Sequence, residues 1–542
     1  FWAAPLLLMW SMYSLLRTLT LNSWLAVGAS VSYALSPVAI SSINSGRLGT
    51  IAVIILAPQI ARYLPRLAKV ENLEWRFIFG LSFLVGVLTS FSLPAYLGIA
   101  MIYLIGMIYD ARTLRSSGNR ELFNTRLVRR IVLIATPFAL CLPWSLEALV
   151  HPSRLLLEPG LVLAGGSSNL AFIANPGGAG SIPWWFVSPV TLILVVAVFS
   201  STSARKYAEV GLVFFVIATL TSVISFPAHG NALGERLWVG TWLTYVTVAA
   251  VCSGVIILDR LRERLAATHF HHRHILAGLV VASTLLYTSA ASAWVVSVGS
   301  DSPVKADQES VLPAFLTLTP GVKTLVLRSS YSGGLASLAF FIARESDALL
   351  CDPDIAPPTS PIIDRAVREM VDGSGLASSK VLSAHGIKYL FMKNPVDNQI
   401  VREIDGLGGF VRNSSTQAGI VWRIAGVSER LVFTDATGNS KTLLSGDVGA
   451  RTSTTGPGFL SLAENFDSSW QIIQNGKKLV RTRGEYGLPQ FQSTQAGEFS
   501  LIHDGTRRRA WLALQMIVFL TVLVMALPAG RRKREISVEE LT

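Results

Sequence analysis

A chain of 542 residues that is 51% hydrophobic and only 15% charged departs from soluble globular proteins, in which about a quarter of residues are charged. That composition excludes a chain solvated by water alone. The formal net charge of +12 raises nucleic acid as a partner, but residues 298–510 hold 22 Lys+Arg against 21 Asp+Glu, and the excess sits in short loops between apolar stretches, where it orients spans.

In chain order, the opening run FWAAPLLLMWSMYSLL is apolar, starts at Phe1 and has no charged leader. It reads as a span and not as a signal peptide, and the chain reads as a segment beginning inside a longer protein or as one with a misassigned start. A spanning helix needs about 20 apolar residues, because the bilayer offers its backbone no other partner. The predicted spans are 1–16, 23–41, 49–64, 77–93, 94–109, 131–149, 184–200, 209–227, 238–258, 275–297 and 509–529, two of them meeting at Pro94. The expected fold class is a polytopic α-helical membrane protein of about 11 spans with an exported α/β plus β-sandwich domain. Its divisions are a helical membrane domain (1–297), an α/β subdomain (298–425), a β-sandwich subdomain (426–508), a final span (509–529) and a basic tail (530–542).

Loop charge sets the orientation. The loops 17–22, 62–76, 110–130, 201–208, 259–274 and 530–542 hold 21 Lys+Arg, whereas 42–48, 150–183 and 228–237 hold three: Arg47, Arg154 and Arg236. The first set is expected to be cytoplasmic and residues 298–508 extracytoplasmic, in a multi-pass protein of the plasma membrane. Between the spans, residues 150–183 are long for a connection and mix apolar stretches with Gly and Pro, which predicts an amphipathic, partly re-entrant cover on the outer face. The segment RERLAATHFHHRHI holds His269, His271, His272 and His274, but no carboxylate or thiol nearby completes a metal site, so it reads as a solvated loop. Cys141 and Cys252 fall in apolar spans, and Cys351 stands alone in the exported region, so no disulfide forms within that region. No metal or cofactor is expected.

Beyond the spans, TLVLR at 324–328 reads as a strand, PIIDRAVREMVDGSG at 361–375 as a helix ending in Gly, and KVLSAHGIKYLFMK at 380–393 as helix, Gly turn and buried strand. From about residue 420 the pattern changes to short strands separated by Gly, Asn and Asp turns, which predicts an antiparallel sandwich.

No P-loop, GxSxG, HExxH, dinucleotide fingerprint or DxD pair near a span end is found in the sequence. Chemistry is sought instead in polar groups at the outer ends of the spans. The loop SSINSGRLGT holds Asn44 and Arg47; PWSLEALVHPSRLLLEPG holds Glu147, His151, Arg154 and Glu158; PAHGNALGERLW holds His229, Glu235 and Arg236. A guanidinium suits bidentate phosphate binding. Arg47 and Arg236, with Asn44, are the expected grip on a lipid phosphate, supported by Glu147, Glu158 and Glu235. In the exported domain, Trp470 and Tyr486 are the expected faces for sugar stacking, although core packing is the commoner fate of such rings.

These residues carry a resemblance. SYALSPVAISSINSGRLGTIAVIILAPQIARYL (32–64) and LPWSLEALVHPSRLLLEPG (142–160) resemble landmarks of actinobacterial membrane glycosyltransferases. AHGIKYLFMK with IDGLGGFVRNSSTQAGIVWRI, and the ending LSLAENFDSSWQIIQNGKKLV through RAWLALQ, resemble that group's α/β segment, closing sandwich and final helix. A similar ending occurs in C-type, YfhO-like glycosyltransferases that use polyprenyl-phosphate sugars. The resemblance is to the membrane and C-terminal portion of a family-2 glycosyltransferase, whose cytoplasmic catalytic domain precedes the first spans; the catalytic residues would then lie upstream of Phe1. It implies a role in cell-envelope polysaccharide synthesis. The implied partners are membrane lipid, a polyprenyl-linked sugar, an envelope glycan and a separate catalytic glycosyltransferase subunit, with no nucleic acid. Two alternatives remain: a non-catalytic membrane scaffold with a glycan-binding ectodomain, and a transporter of lipid-linked glycan.

Overall fold

The computed structural model describes residues 3–69, 74–116, 120–150, 158, 175–177, 189–200, 202–226, 235–266, 288–289, 291–297, 312–317, 322–332, 335–344, 360–446 and 449–527. Most of 150–183, the His-rich segment, Cys351, much of the expected span 275–297 and the basic tail lie outside these residues.

The first part is a helix bundle of α1 (Ala4–Leu16), α2 (Ser23–Ala34), α3 (Pro37–Asn44), α4 (Leu48–Ala61), α5 (Leu64–Lys69), α6 (Trp75–Phe91), α7 (Leu93–Ser116), α8 (Arg120–Leu140), α9 (Trp144–Val150), α10 (Pro189–Val198), α11 (Thr202–Val223) and α12 (Gly240–Ala266). A two-residue ribbon, β1 (Ser225–Phe226) with β2 (Glu235–Arg236), precedes α12. Local chemistry sets several starts: the Asn22 carboxamide oxygen accepts the Trp24 and Leu25 N–H groups, and Ser36 caps α3 ahead of Pro37. Small residues bring helices close. A Cβ on Gly98 would stand 2.7 Å from the Tyr245 ring, and one on Gly211 2.9 Å from Ala249. Tyrosines tie neighbouring helices, with Tyr245 of α12 donating to the Ala95 carbonyl of α7 at 2.6 Å and Tyr33 of α2 to that of Ile54 of α4 at 2.8 Å.

Among the described residues, five helices are long and apolar enough to cross a membrane: Ser23–Asn44, Leu93–Arg112, Thr202–Val223, Gly240–Arg262 and Thr506–Ala526. A sixth arises if Phe123–Leu140 and Trp144–Val150, bent by 93°, count as one span. The expected eleven spans are not confirmed among the described residues. Three of them fail on length, since α1, α4 and α6 are apolar but run for only 13, 14 and 17 residues, against the roughly 20 of a typical span; the expected spans 184–200 and 275–297 lie partly outside the described residues.

The second part holds α13 (Ala314–Thr317), β3 (Lys323–Ser332), β4 (Leu335–Arg344), α14 (Pro361–Val371), α15 (Ser378–Ala384), β5 (Ile387–Lys393), α16 (Asn398–Gly406), β6 (Phe410–Thr416) and β7 (Gly419–Ile424). The strands form a mixed sheet in the order β4-β3-β5-β7-β6, with β3 and β5 parallel and the other pairs antiparallel. Helices α14, α15 and α16 cover one face, packing Ile363, Val367, Met370, Leu382 and Ile404 on Leu325, Leu390 and Trp422. The other face packs Val326, Phe391 and Val421 against Leu312 and Leu316.

The third part is all antiparallel: β8 (Leu431–Asp435), β9 (Ser440–Leu443), β10 (Gly449–Thr454), β11 (Gly458–Leu462), β12 (Trp470–Gln474), β13 (Lys477–Lys478), β14 (Arg481–Arg483), β15 (Pro489–Ser493) and β16 (Gly497–His503). One sheet runs β10-β16-β12-β13 and the other β14-β15-β11-β8-β9. Their facing side chains, among them Phe433, Leu460, Phe491, Ile472 and Leu501, make one apolar core. The chain then returns to the bundle as α17 (Thr506–Ala526), where Phe519 meets Phe83 at 6.0 Å and Gln515 donates to the Leu140 carbonyl at 2.7 Å.

Candidate functional site

Two helices begin side by side with the same dipeptide. In α4, Gly49-Thr50 follows Arg47; in α12, Gly240-Thr241 follows Trp238. A helix start leaves backbone N–H groups without intrahelical acceptors and carries the positive end of the helix dipole. Glu158 fills that vacancy. Its carboxylate accepts from the Thr50 N–H, from the Thr50 hydroxyl at 2.7 Å and from the Thr241 hydroxyl at 3.0 Å. The Trp238 indole N–H donates to the Thr50 hydroxyl at 2.8 Å, and the Arg47 guanidinium lies over the indole ring at 4.8 Å. Glycine at position 49 allows the approach, because a Cβ there would stand 2.7 Å from the Phe91 carbonyl oxygen and 2.8 Å from Glu158 Oε1.

All of these groups are buried; Glu158 is 6% exposed and Arg47 4%. Burial raises the Glu158 pKa above the usual carboxylate range, while the Thr50 hydroxyl and the Arg47 charge work against that rise. A second tie lies nearby: the Ser41 hydroxyl donates to the Asn175 carboxamide oxygen at 3.1 Å, and that oxygen also accepts the Gly177 N–H. Both described pieces of 150–183 therefore dock on the bundle through buried polar side chains.

The structure brings Arg47 and Glu158 together, and it buries both. Asn44 is half-buried at the end of α3, and Glu147 is exposed on α9. Glu235 and Arg236 form β2, with Cα partners Phe226 and Ser225, and Arg236 stands two positions before Trp238. Thr50, Trp238, Thr241, Ser41 and Asn175 were not among the residues singled out from the sequence. The repeated Gly-Thr pair at the start of two apolar runs is the signal for two of them.

Trp470, one of the two expected faces for sugar, is placed in a packed core. Its side chain begins β12, is 8% exposed and belongs to the core between the two sheets, with the His503 ring edge-on at 4.7 Å. The alternating burial of β12 points the first residue inward. Tyr486 is half-buried in the turn before β15, in the left-handed region at φ 54°. Among the described residues, no group of three or more His, Cys, Asp and Glu side chains is arranged to hold a metal ion.

No family model matches the chain. No curated protein matches it either. Among solved structures, the single-particle cryo-EM structure of the arabinofuranosyltransferase AftD from Mycobacteria aligns with it at 12% identity and a TM-score of 0.43, over 92% of this chain. The chain spans about half, 50%, of the length of that protein. At that identity and score the alignment assigns neither family nor activity.

Proposed function

We propose that the chain is a glycosyltransferase-related membrane protein of cell-envelope polysaccharide synthesis, and that a polyprenyl-phosphate-linked sugar is met at the Glu158 end of the bundle. The observation that carries this reading is a buried carboxylate and a buried guanidinium gathered at the starts of two apolar helices. Helix starts bind anions through free N–H groups and the dipole, and at the edge of a bilayer the anion at hand is a lipid phosphate. In this reading Glu158 occupies an anion position at the two helix starts. Arg47 and Arg236 are the cations that receive the phosphate, and the large water-facing part, in this orientation extracytoplasmic, engages the glycan.

A polyprenyl-phosphate binding assay on purified protein in neutral detergent tests it. The double variant Arg47→Gln, Arg236→Gln keeps hydrogen-bonding shape and removes both charges. Each charge-assisted bond is worth about 1.5–3 kcal/mol, so binding is expected to weaken at least about tenfold. Equal binding by wild type and variant rejects the phosphate role. One observation favours a second reading, a non-catalytic scaffold: the Thr50 and Thr241 donors already meet both Glu158 oxygens. On that reading Glu158 is a permanent tie, and the double variant loses stability without losing lipid.

A further inference from the structure

At the other end of α4 and α12 the bundle opens into a cavity of about 960 Å³. It lies between the C-terminal end of α4, the turn into α5, the α1–α2 connection, the start of α11 and the end of α12, with α7 behind it. Its inner wall is apolar, formed by side chains such as Ile60, Ile99, Val210 and Val248. Its mouth is cationic: Arg62, Arg66, Lys206 and Arg260 line it and are exposed, and Asp259 is the one carboxylate among the lining residues. Four cations against one anion leave a formal charge of +3 there.

The guanidinium groups are oriented by neighbours. Arg62 lies 5.9 Å from the Tyr63 ring centre, Arg66 5.4 Å from that of Phe77, and Arg260 donates to the Ser203 hydroxyl at 3.5 Å. Basic loops at a span end are ordinary, since charge bias orients spans. An apolar cavity behind such a loop is a different matter. It takes a chain, while the mouth takes an anion, and a planar guanidinium pairs with phosphate through two parallel hydrogen bonds.

We propose that this cavity binds a phosphate-headed lipid, with the phosphate at the Arg62, Arg66, Lys206 and Arg260 mouth and an acyl or prenyl chain against the α7, α11 and α12 wall. The site is separate from the Glu158 cluster, at the opposite ends of the same two helices, and does not rest on the function proposed above.

The test uses the full chain in nanodiscs of phosphatidylcholine carrying a small fraction of phosphatidic acid with a photoreactive group on its acyl chain. Crosslinks are expected in peptides holding Ile99, Val210 or Val248, and unlabelled phosphatidic acid should compete at least tenfold better than unlabelled phosphatidylcholine. Crosslinks confined to other surfaces, or equal competition by the two lipids, overturn the proposal. Inorganic phosphate at millimolar concentration is expected not to compete; full competition identifies a site for free phosphate and overturns the lipid assignment. The variant Arg62→Gln, Arg66→Gln, Lys206→Gln, Arg260→Gln changes only exposed side chains and should lose at least nine-tenths of the crosslink. Arg205→Gln, exposed at the start of α11 and outside the cavity lining, should keep it. Retention of the crosslink by the fourfold variant also overturns the proposal.

Discussion

At Glu158 the hydrogen-bond directions decide what a substitution does. The Thr50 hydroxyl accepts from the Trp238 indole and donates to the carboxylate, and the Thr50 N–H points at the same group. A glutamine at 158 can satisfy the N–H with its carbonyl, but its amide then faces two hydroxyls that had been donors, and Arg47 loses the adjacent charge. Glu158→Gln is expected to lower the stability of the bundle by about 2 kcal/mol, the scale of a buried group left badly paired, read as a fall in the thermal midpoint in detergent. An unchanged midpoint shows that the Glu158 contacts with Thr50 and Thr241 contribute nothing to holding the bundle. Gly49 makes a sharper demand. The Phe91 carbonyl beside it is backbone and cannot swing away, so even a methyl group requires the α4 start and the α6 end to part.

Helix α14 shows what the sequence made legible and why. Ser360 accepts the Ile363 N–H at 3.4 Å, Pro361 occupies the first turn, Arg368 lies in the last, and Gly373 turns the chain out at φ 71°. Each is a residue-level signal of a helix boundary. Ser360→Ala is expected to cost about 1 kcal/mol, measured by urea unfolding; no loss would mean that packing of Val367 and Met370 alone holds the helix. Strand β12 was readable from the Asn475-Gly476 turn that closes it. The burial that alternates along Trp470–Gln474 and turns Trp470 inward is seen only in the structure, because Trp-Gln-Ile-Ile-Gln does not alternate in polarity.

The membrane helices lack such punctuation. In α4 every face is apolar, Arg47 makes no side-chain cap, and Pro58 lies within the helix, so hydropathy located the segment without fixing its length. Of the site, the charged members Arg47 and Glu158 stood out because charges near a bilayer are costly. Thr50 and Thr241 did not, because a lone threonine is unremarkable until its helix start is placed beside another.

Across the whole molecule, one buried ionic cluster joins the mixed sheet to the antiparallel part. Lys323, at the start of β3, donates to the His385 carbonyl at 3.1 Å and to that of Ala463, and lies 3.4 Å from Glu464. Arg344 and Arg430 meet the same carboxylate at 2.5 and 3.2 Å. Burial works against the Glu464 charge, but Lys323, Arg344 and Arg430 outweigh it and leave the pKa lowered. A carboxylate whose folded pKa is depressed adds stability above its ordinary pKa and loses it as pH falls through the folded one. The sheet-bearing part is therefore expected to weaken on acidification below about pH 4.5, and Glu464→Gln should flatten that dependence. At neutral pH the same variant strands Lys323 and should cost about 3 kcal/mol or more. An unaltered acid profile in the variant would assign the loss to other groups. Burial also pushes the Lys323 ammonium down from 10.5 to about 8; between those values the unfolded chain holds a proton the folded chain has released, so this group adds stability as pH rises.

The Glu158 cluster also fixes an order of events during biosynthesis. Thr50 and Glu158 are 108 positions apart, and Thr50 and Thr241 are 191 apart. When α4 leaves the ribosome its N–H groups have only water or lipid headgroups to face, Glu158 emerges much later, and the indole and second hydroxyl arrive last with α12. A nascent chain halted before Trp238 thus carries an acidic side chain whose donor set is incomplete.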